Sequence, residues 1–159
     1  MISETYGIHV TEIEELKLVG IRVVCPGDRY AAEIPKATLA LKERLEEIKH
    51  LVQPARMIGA FVVQELTPEE DGYWVCVEVS KLEDIPAGLT ELTVPPQKYA
   101  VIKHIGPNTR ISHTYEILHE WIAQNGHTRM QSAWHLEISD VLGYREEEDI
   151  EIRLYDTIK

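Results

Sequence analysis

The chemically most telling stretch is Trp134-His135-Leu136-Glu137-Ile138-Ser139. Apolar and polar residues alternate strictly, the pattern of a strand with two unlike faces. Trp134, Leu136 and Ile138 share one face, which predicts contact with helices. His135, Glu137 and Ser139 share the other, which predicts a groove or water. A carboxylate held away from water is costly unless something compensates it. A cation stacked on aromatic walls would do so, through charge and through cation–π contact. The same carboxylate, with its pKa raised by burial, could act as a general base toward water, with His135 as proton donor. A carboxylate alternating with apolar residues is also the ordinary wet face of a sheet, so the pattern alone leaves both readings open.

Other strands supply the walls by the same alternation. In Tyr73–Val79, Val75, Val77 and Val79 read as core, leaving Trp74, Cys76 and Glu78 opposite. In the last strand, read as Asp149–Tyr155, Ile150, Ile152 and Leu154 read as core, with Glu151, Arg153 and Tyr155 opposite. The candidate ligand-binding set takes Glu137, His135, Trp74, Arg153 and Tyr155 from these faces and adds Tyr99 and Trp134 as further aromatic candidates; Glu137 is the catalytic candidate if the chain is an enzyme. Trp121, on a helix flank, reads as core. The seven histidines show no HxH or HExxH spacing and the two cysteines no CxxC, so neither a metal nor a cofactor is expected. Cys25 and Cys76 read as buried small hydrophobes in a reducing cytosol.

The elements that position these residues repeat. Val19–Val24 is a strand closed by Pro26-Gly27. A helix from about Ile34 to Lys49 follows, with Pro35 in its first turn. The strands Met57–Glu65 and Tyr73–Val79 come next, joined through Pro68–Gly72. The second half repeats the order: strand Tyr99–His104, Gly106-Pro107, a helix from about Arg110 to Gln124 ended by Asn125-Gly126, then strands Ser132–Ser139 and Asp149–Tyr155. The link is Leu82–Pro96, giving module one at about 10–81 and module two at about 90–159 within a single domain spanning 1–159. Each strand–helix–strand–strand unit is too small to bury both its layers. Side by side they form an α+β fold with both helices on one face of a shared sheet. A ligand groove is expected between the halves, on the face away from the helices.

Composition narrows the function. A net charge of −11, without a basic cluster, is poorly suited to neutralising phosphates, so direct nucleic-acid binding is not expected. No segment is left over for a helix-turn-helix. No apolar run approaches membrane-spanning length, and Met1-Ile2-Ser3-Glu4 lacks the regions of a signal peptide, which predicts a cytoplasmic protein. The acidic balance favours cationic ligands and also simply keeps a protein soluble.

Ile85-Pro86-Ala87-Gly88-Leu89, then Tyr99-Ala100-Val101-Ile102-Lys103-His104-Ile105-Gly106-Pro107, the helix with Trp121-Ile122, and Leu136-Glu137-Ile138 together resemble the GyrI-like family. These are the effector-binding domains of AraC- and MerR-type bacterial transcription activators. The resemblance runs from Val19 to Leu154. It implies eight antiparallel strands, a central groove, and a glutamate in the penultimate strand facing aromatic, often cationic, compounds; Glu137 stands at that position. Two departures matter. Ser139 stands where the family often has Tyr, and Arg153-Leu154-Tyr155 replaces Tyr-apolar-Pro, so Arg153 could pair with Glu137. The resemblance also implies an alternative, hydrolysis of cyclopropane-bearing DNA-alkylating natural products with Glu137 as general base. A gyrase-modulating interaction module is a third class that no residue specifically supports. An exposed sheet edge and a spare Trp74 would allow a homodimer.

Overall fold

The computed structural model describes residues 7–65, 67–140 and 150–159. Its strands are β1 (His9–Ile13), β2 (Leu16–Val23), β3 (Met57–Val62), β4 (Tyr73–Val79), β5 (Thr90–Val94), β6 (Gln97–Gly106), β7 (Trp134–Ser139) and β8 (Ile150–Ile158). The helices are α1 (Tyr30–Lys42) and α2 (Ile111–Gln124). All eight strands join one antiparallel sheet in the order β1-β6-β8-β7-β3-β4-β2-β5.

This order carries a geometric demand. β1 lies at one edge of the sheet and β2 beside the other, yet only Glu14 and Glu15 join them. Six inter-strand steps in a flat sheet would measure about 29 Å at about 4.8 Å each. Three Cα steps span at most about 11 Å. The link from β5 to β6, Pro95-Pro96, makes the same demand. The sheet must therefore curl until its two edges come near each other at the end where these links lie. Each of these edge strands pairs with a strand of the other half, β1 with β6 and β5 with β2.

Curling turns one face inward, where Leu18, Ile58, Ala60, Trp74, Cys76, Tyr99, Val101, Leu136, Ile138 and Tyr155 form one buried cluster. The outer face carries the helices. α1 sets Ala37 and Leu41 on Val19, Val75 and Val77, and α2 sets Leu118 and Ile122 on Ala100, Ile102 and Leu154. The face away from the helices is thus a packed interior, which corrects the expectation of a groove there. Gly20 shows how tight the wall is: a Cβ at this position would lie 1.9 Å from the Val75 carbonyl oxygen of the paired strand.

Several boundaries also differ from the sequence reading. α1 begins at Tyr30, so Pro35 lies inside it. The carbonyl that Pro35 leaves without its N–H partner belongs to Ala31, which is exposed and can turn to water. The helix stops at Lys42, and the rest of the expected span contains only a single 3-10 turn at Leu45–Glu47. β5 lies within the stretch read as a link. β8 runs on to Ile158 and so takes in Asp156, while the expected start at Asp149 lies outside the described residues. Gly20→Ala should cost about 3 kcal/mol, because backbone rather than a movable side chain opposes the new methyl. Chemical denaturation against the unsubstituted chain checks this.

Candidate functional site

The seam between the halves is the ladder of β3 against β7. Gly59 faces Glu137 there, and Phe61 faces His135. Gly59 also faces Val75, a contact of α1, so Glu137 and His135 lie on the helix-bearing face. Ala60, opposite both Trp74 and Leu136, fixes the other parity. Alternation in β7 is as expected, but its direction is reversed: Trp134, Leu136 and Ile138 point into the closed interior.

Glu137 is half-buried, and each of its oxygens accepts a hydrogen bond from a tyrosine. Tyr73 Oη donates to Oε1 at 2.7 Å, and Tyr115 Oη donates to Oε2 at 2.5 Å. Tyr73 comes from β4 of the first half and Tyr115 from α2 of the second. Tyr73 reaches Glu137 by lying across Gly59, where a Cβ would stand 1.8 Å from its hydroxyl. Burial, followed by the facing Glu137 carboxylate, pushes the Tyr115 phenol well above its ordinary range, so it stays a proton donor. Tyr73, Phe61 and His135 make a row of nearly parallel rings across the seam. Centroid separations are 5.8 and 5.7 Å, with interplanar angles of 14° and 24°.

Two residues along β8 from Leu154, the partner of Glu137, a second polar group is built on Asp156, which is 0% exposed. Arg129 Nε donates to its two oxygens at 3.1 and 3.2 Å. His135 Nε2 stands 3.0 Å from Oδ1, and His119 Nε2 stands 2.6 Å from Oδ2, outside hydrogen-bond alignment. Burial pushes the Asp156 carboxyl up, but the contacts from His119, His135 and Arg129 outweigh it and hold the group below its ordinary range. His135 is sealed: it is 1% exposed, and its Nδ1 donates to the Ala133 carbonyl at 3.0 Å. It has no free nitrogen for a ligand, which corrects its expected role as contact and proton donor.

The remaining candidates separate from Glu137. Trp74, Tyr99 and Tyr155 are buried in the interior cluster, and Trp134 packs against it. Trp74 meets Trp134 edge to face at 5.0 Å, and Tyr99 meets Tyr155 at 5.6 Å. Burial pushes the Tyr99 phenol up to about 12. These four form an aromatic core rather than groove walls, because sheet closure turns their face inward. Arg153 faces Ile138 on that same side and binds Asp140 Oδ1 at 2.8 Å, so it does not pair with Glu137. Trp121 packs beside the α2 core and stacks on His127.

His104, within the resemblance segment, is 3% exposed and bridges Thr114 Oγ1 (2.7 Å) and the Pro107 carbonyl (3.1 Å), so it fixes the turn from β6 into α2. A depression of about 520 Å³ beside it is lined by Lys103, Arg110 and His113, a basic lining unsuited to a cation. Among the described residues no group of His, Cys, Asp or Glu is arranged to hold a metal. On Asp156, Arg129 already places a fixed positive charge where a metal would sit. No helix among them is long and apolar enough to cross a membrane.

The eight-stranded antiparallel sheet with two helices on it is the fold shared by the proteins this chain is similar to. Residues 7–156 match the family of GyrI-like small-molecule-binding domains. The chain belongs to this family. Among solved structures, this GyrI-like domain is similar to SAV2435 bound to tetraphenylphosphonium, at 18% identity and a TM-score of 0.71 over 96% of this chain and 93% of that one. It is similar to the EcmrR C-terminal domain at 17% identity, with a TM-score of 0.69 over 96% of each chain. A hydrolase from Listeria innocua has 13% identity and a TM-score of 0.59, over 96% of this chain and 91% of that one. These identities establish a shared fold. No functionally curated protein matches the chain in sequence.

Tyr73, Tyr115, His119 and Asp156 were not legible as site residues. Tyr115 reads as part of the apolar stripe of α2, and Asp156 lies beyond the expected end of its strand. Asp156→Asn should destabilise the fold by about 3 kcal/mol, since it leaves Arg129 and His135 without their counter-charge. The pH dependence carries a sign. The folded-state value of Asp156 lies below the unfolded value of about 3.9, so its contribution is full above that pH and is lost as pH falls through the folded value. Denaturation midpoints of the unsubstituted GyrI-like domain should therefore fall more steeply below about pH 4 than those of Asp156→Asn.

Proposed function

We propose that this GyrI-like domain binds aromatic organic cations in the cleft between α1 and α2, with Glu137 as counter-charge. The observation that supports this most is the Glu137 carboxylate, half-buried at the seam and fastened by Tyr73 and Tyr115. An ionised carboxylate offers about four lone-pair sites, and two phenols use two of them. Acceptor capacity remains for a ligand. Phe61, Tyr73 and Tyr115 supply faces for cation–π contact, worth about 2 kcal/mol when desolvated. The net charge of −11 draws cations toward the surface. SAV2435, which shares the fold, is a protein solved with such a cation, tetraphenylphosphonium.

Calorimetric titration with tetraphenylphosphonium tests the reading. Saturable binding is expected, with Glu137→Gln weakening it at least tenfold and triphenylphosphine oxide, a neutral relative, binding more weakly. Equal affinity in the Glu137→Gln variant would remove the carboxylate from the site.

One observation favours a second reading, hydrolysis: the 2.5 Å contact pairs a proton donor, Tyr115, with a base, Glu137. In a cyclopropane-bearing dienone, Glu137 would take a proton from water as the oxygen bonds to the ring CH₂. The strained C–C bond would break, its electron pair would pass to the carbonyl oxygen as the ring aromatises, and Tyr115 would protonate that oxygen. The Listeria innocua relative described as a hydrolase shares the fold. Turnover of such an alkylator, abolished in Glu137→Gln and slowed in Tyr115→Phe, is the expected result. Binding without turnover would leave the ligand-binding reading alone.

A further inference from the structure

The Asp156 cluster raises a question that its structural role does not answer: why a partly exposed histidine shares so deeply buried a carboxylate. Its protons can be placed from the partners. The Ala133 carbonyl and the Asp156 carboxylate only accept, so the two nitrogens of His135 that face them are taken up by these contacts. His119 is the remaining imidazole on Asp156. Its Nε2, buried 2.6 Å from Oδ2, must be the nitrogen bearing hydrogen, because a lone pair there would face a carboxylate. In the neutral ring Nδ1 is left with its lone pair.

His119 is also placed to use it. Its side chain is 35% exposed although Nε2 is buried, so the exposure belongs to the rest of the ring. It lies four residues from Tyr115 on the same side of α2, with ring centroids 5.8 Å apart. Tyr115 bonds Glu137, and His119 meets Asp156, the carboxylate that His135 also contacts. Glu137 and His135 are two residues apart on one strand face, about 6.6 Å. Tyr115, on Glu137, and His119, on Asp156, thus stand one helical turn apart with their rings 5.8 Å from each other, which sets a carboxylate and an imidazole nitrogen beside one another along the cleft.

We propose that His119 is a specificity-determining contact, and that the cleft is matched to aryl amidinium or guanidinium cations, whose N–H groups can bond both Glu137 and His119 Nδ1. Quaternary cations satisfy only the charge. Asp156, Arg129 and His135 act as positioning residues that hold His119 in its acceptor tautomer. This inference rests on the cation-binding reading of the Glu137 cleft.

The test compares two probes on the whole chain, a fluorescent diamidinophenylindole and tetraphenylphosphonium. His119→Phe keeps a ring and removes the acceptor. The diamidine should lose about tenfold in affinity, the scale of a hydrogen bond to a charged group, while tetraphenylphosphonium stays within about twofold. His119→Gln, which restores an acceptor, should recover part of the loss. In the unsubstituted chain, which avoids any folding defect, the ¹⁵N resonance of His119 Nδ1 should move on adding the diamidine and not the phosphonium. Equal losses for both probes, or an unmoved Nδ1 resonance with diamidine bound, would overturn the role of His119 alone. Failure of both probes to bind the unsubstituted chain would overturn the cation-binding reading with it.

Discussion

Two connections of two residues each, Glu14-Glu15 and Pro95-Pro96, decide the architecture. Each joins an edge strand to a strand far across the sheet, and a flat sheet cannot satisfy either. Closure follows, and with it the fate of every side chain. One face becomes an enclosed aromatic core around Trp74, Trp134, Tyr99 and Tyr155. The other is the only face on which helices can lie, and the gap between them falls on the seam of the two halves. The proposed ligand site therefore lies on the outside of the curled sheet, where Glu137 is held, rather than among the aromatic residues within it.

Electrostatics at the seam divides into two neighbouring groups with opposite logic. Glu137 is held by two neutral donors, the phenols of Tyr73 and Tyr115. Asp156 is surrounded by positive partners and is spent internally. Both carboxylates are partly or wholly withdrawn from water, yet only the first keeps an electrostatic demand that a ligand could meet. The distinction depends on Gly59, whose missing side chain lets Tyr73 cross the seam instead of leaving Glu137 to a single phenol.

Alternation in the sequence identified which residues of β4, β7 and β8 share a face, and the structure agrees. In β4 and β8 the sets read as core, Val75, Val77 and Val79 and Ile152 and Leu154, do meet the helices. β7 is the exception: both faces of the curled sheet are apolar, so Trp134, Leu136 and Ile138 give no sign that they point away from the helices, and Trp74 and Arg153 lie across the sheet from Glu137. Partners contributed by long-range packing were also beyond reach: Tyr115 has the spacing of a core residue, and His119 lies on a helix whose register against β7 no local pattern specifies. β1 and β5 are not legible in the sequence, because five-residue edge strands carry too few alternations to separate from a link. Asp156 was lost with the C-terminal end of β8, although Leu154, Asp156 and Ile158 continue the period of the strand.

The exchange of edge strands bears on how such a chain can come into being on the ribosome. β1 emerges first, yet its partner β6 follows some ninety residues later, as the pairing of His9 with Val101 shows. The leading segment must wait, unpaired, through synthesis of the whole first half. That half in turn lacks its outer strand until β5 appears. Loop closure over such distances is slow, and waiting edges invite wrong partners. The acidic pair Glu14-Glu15, at the end of the waiting strand, is the kind of charge that keeps an orphaned edge from associating with its neighbours.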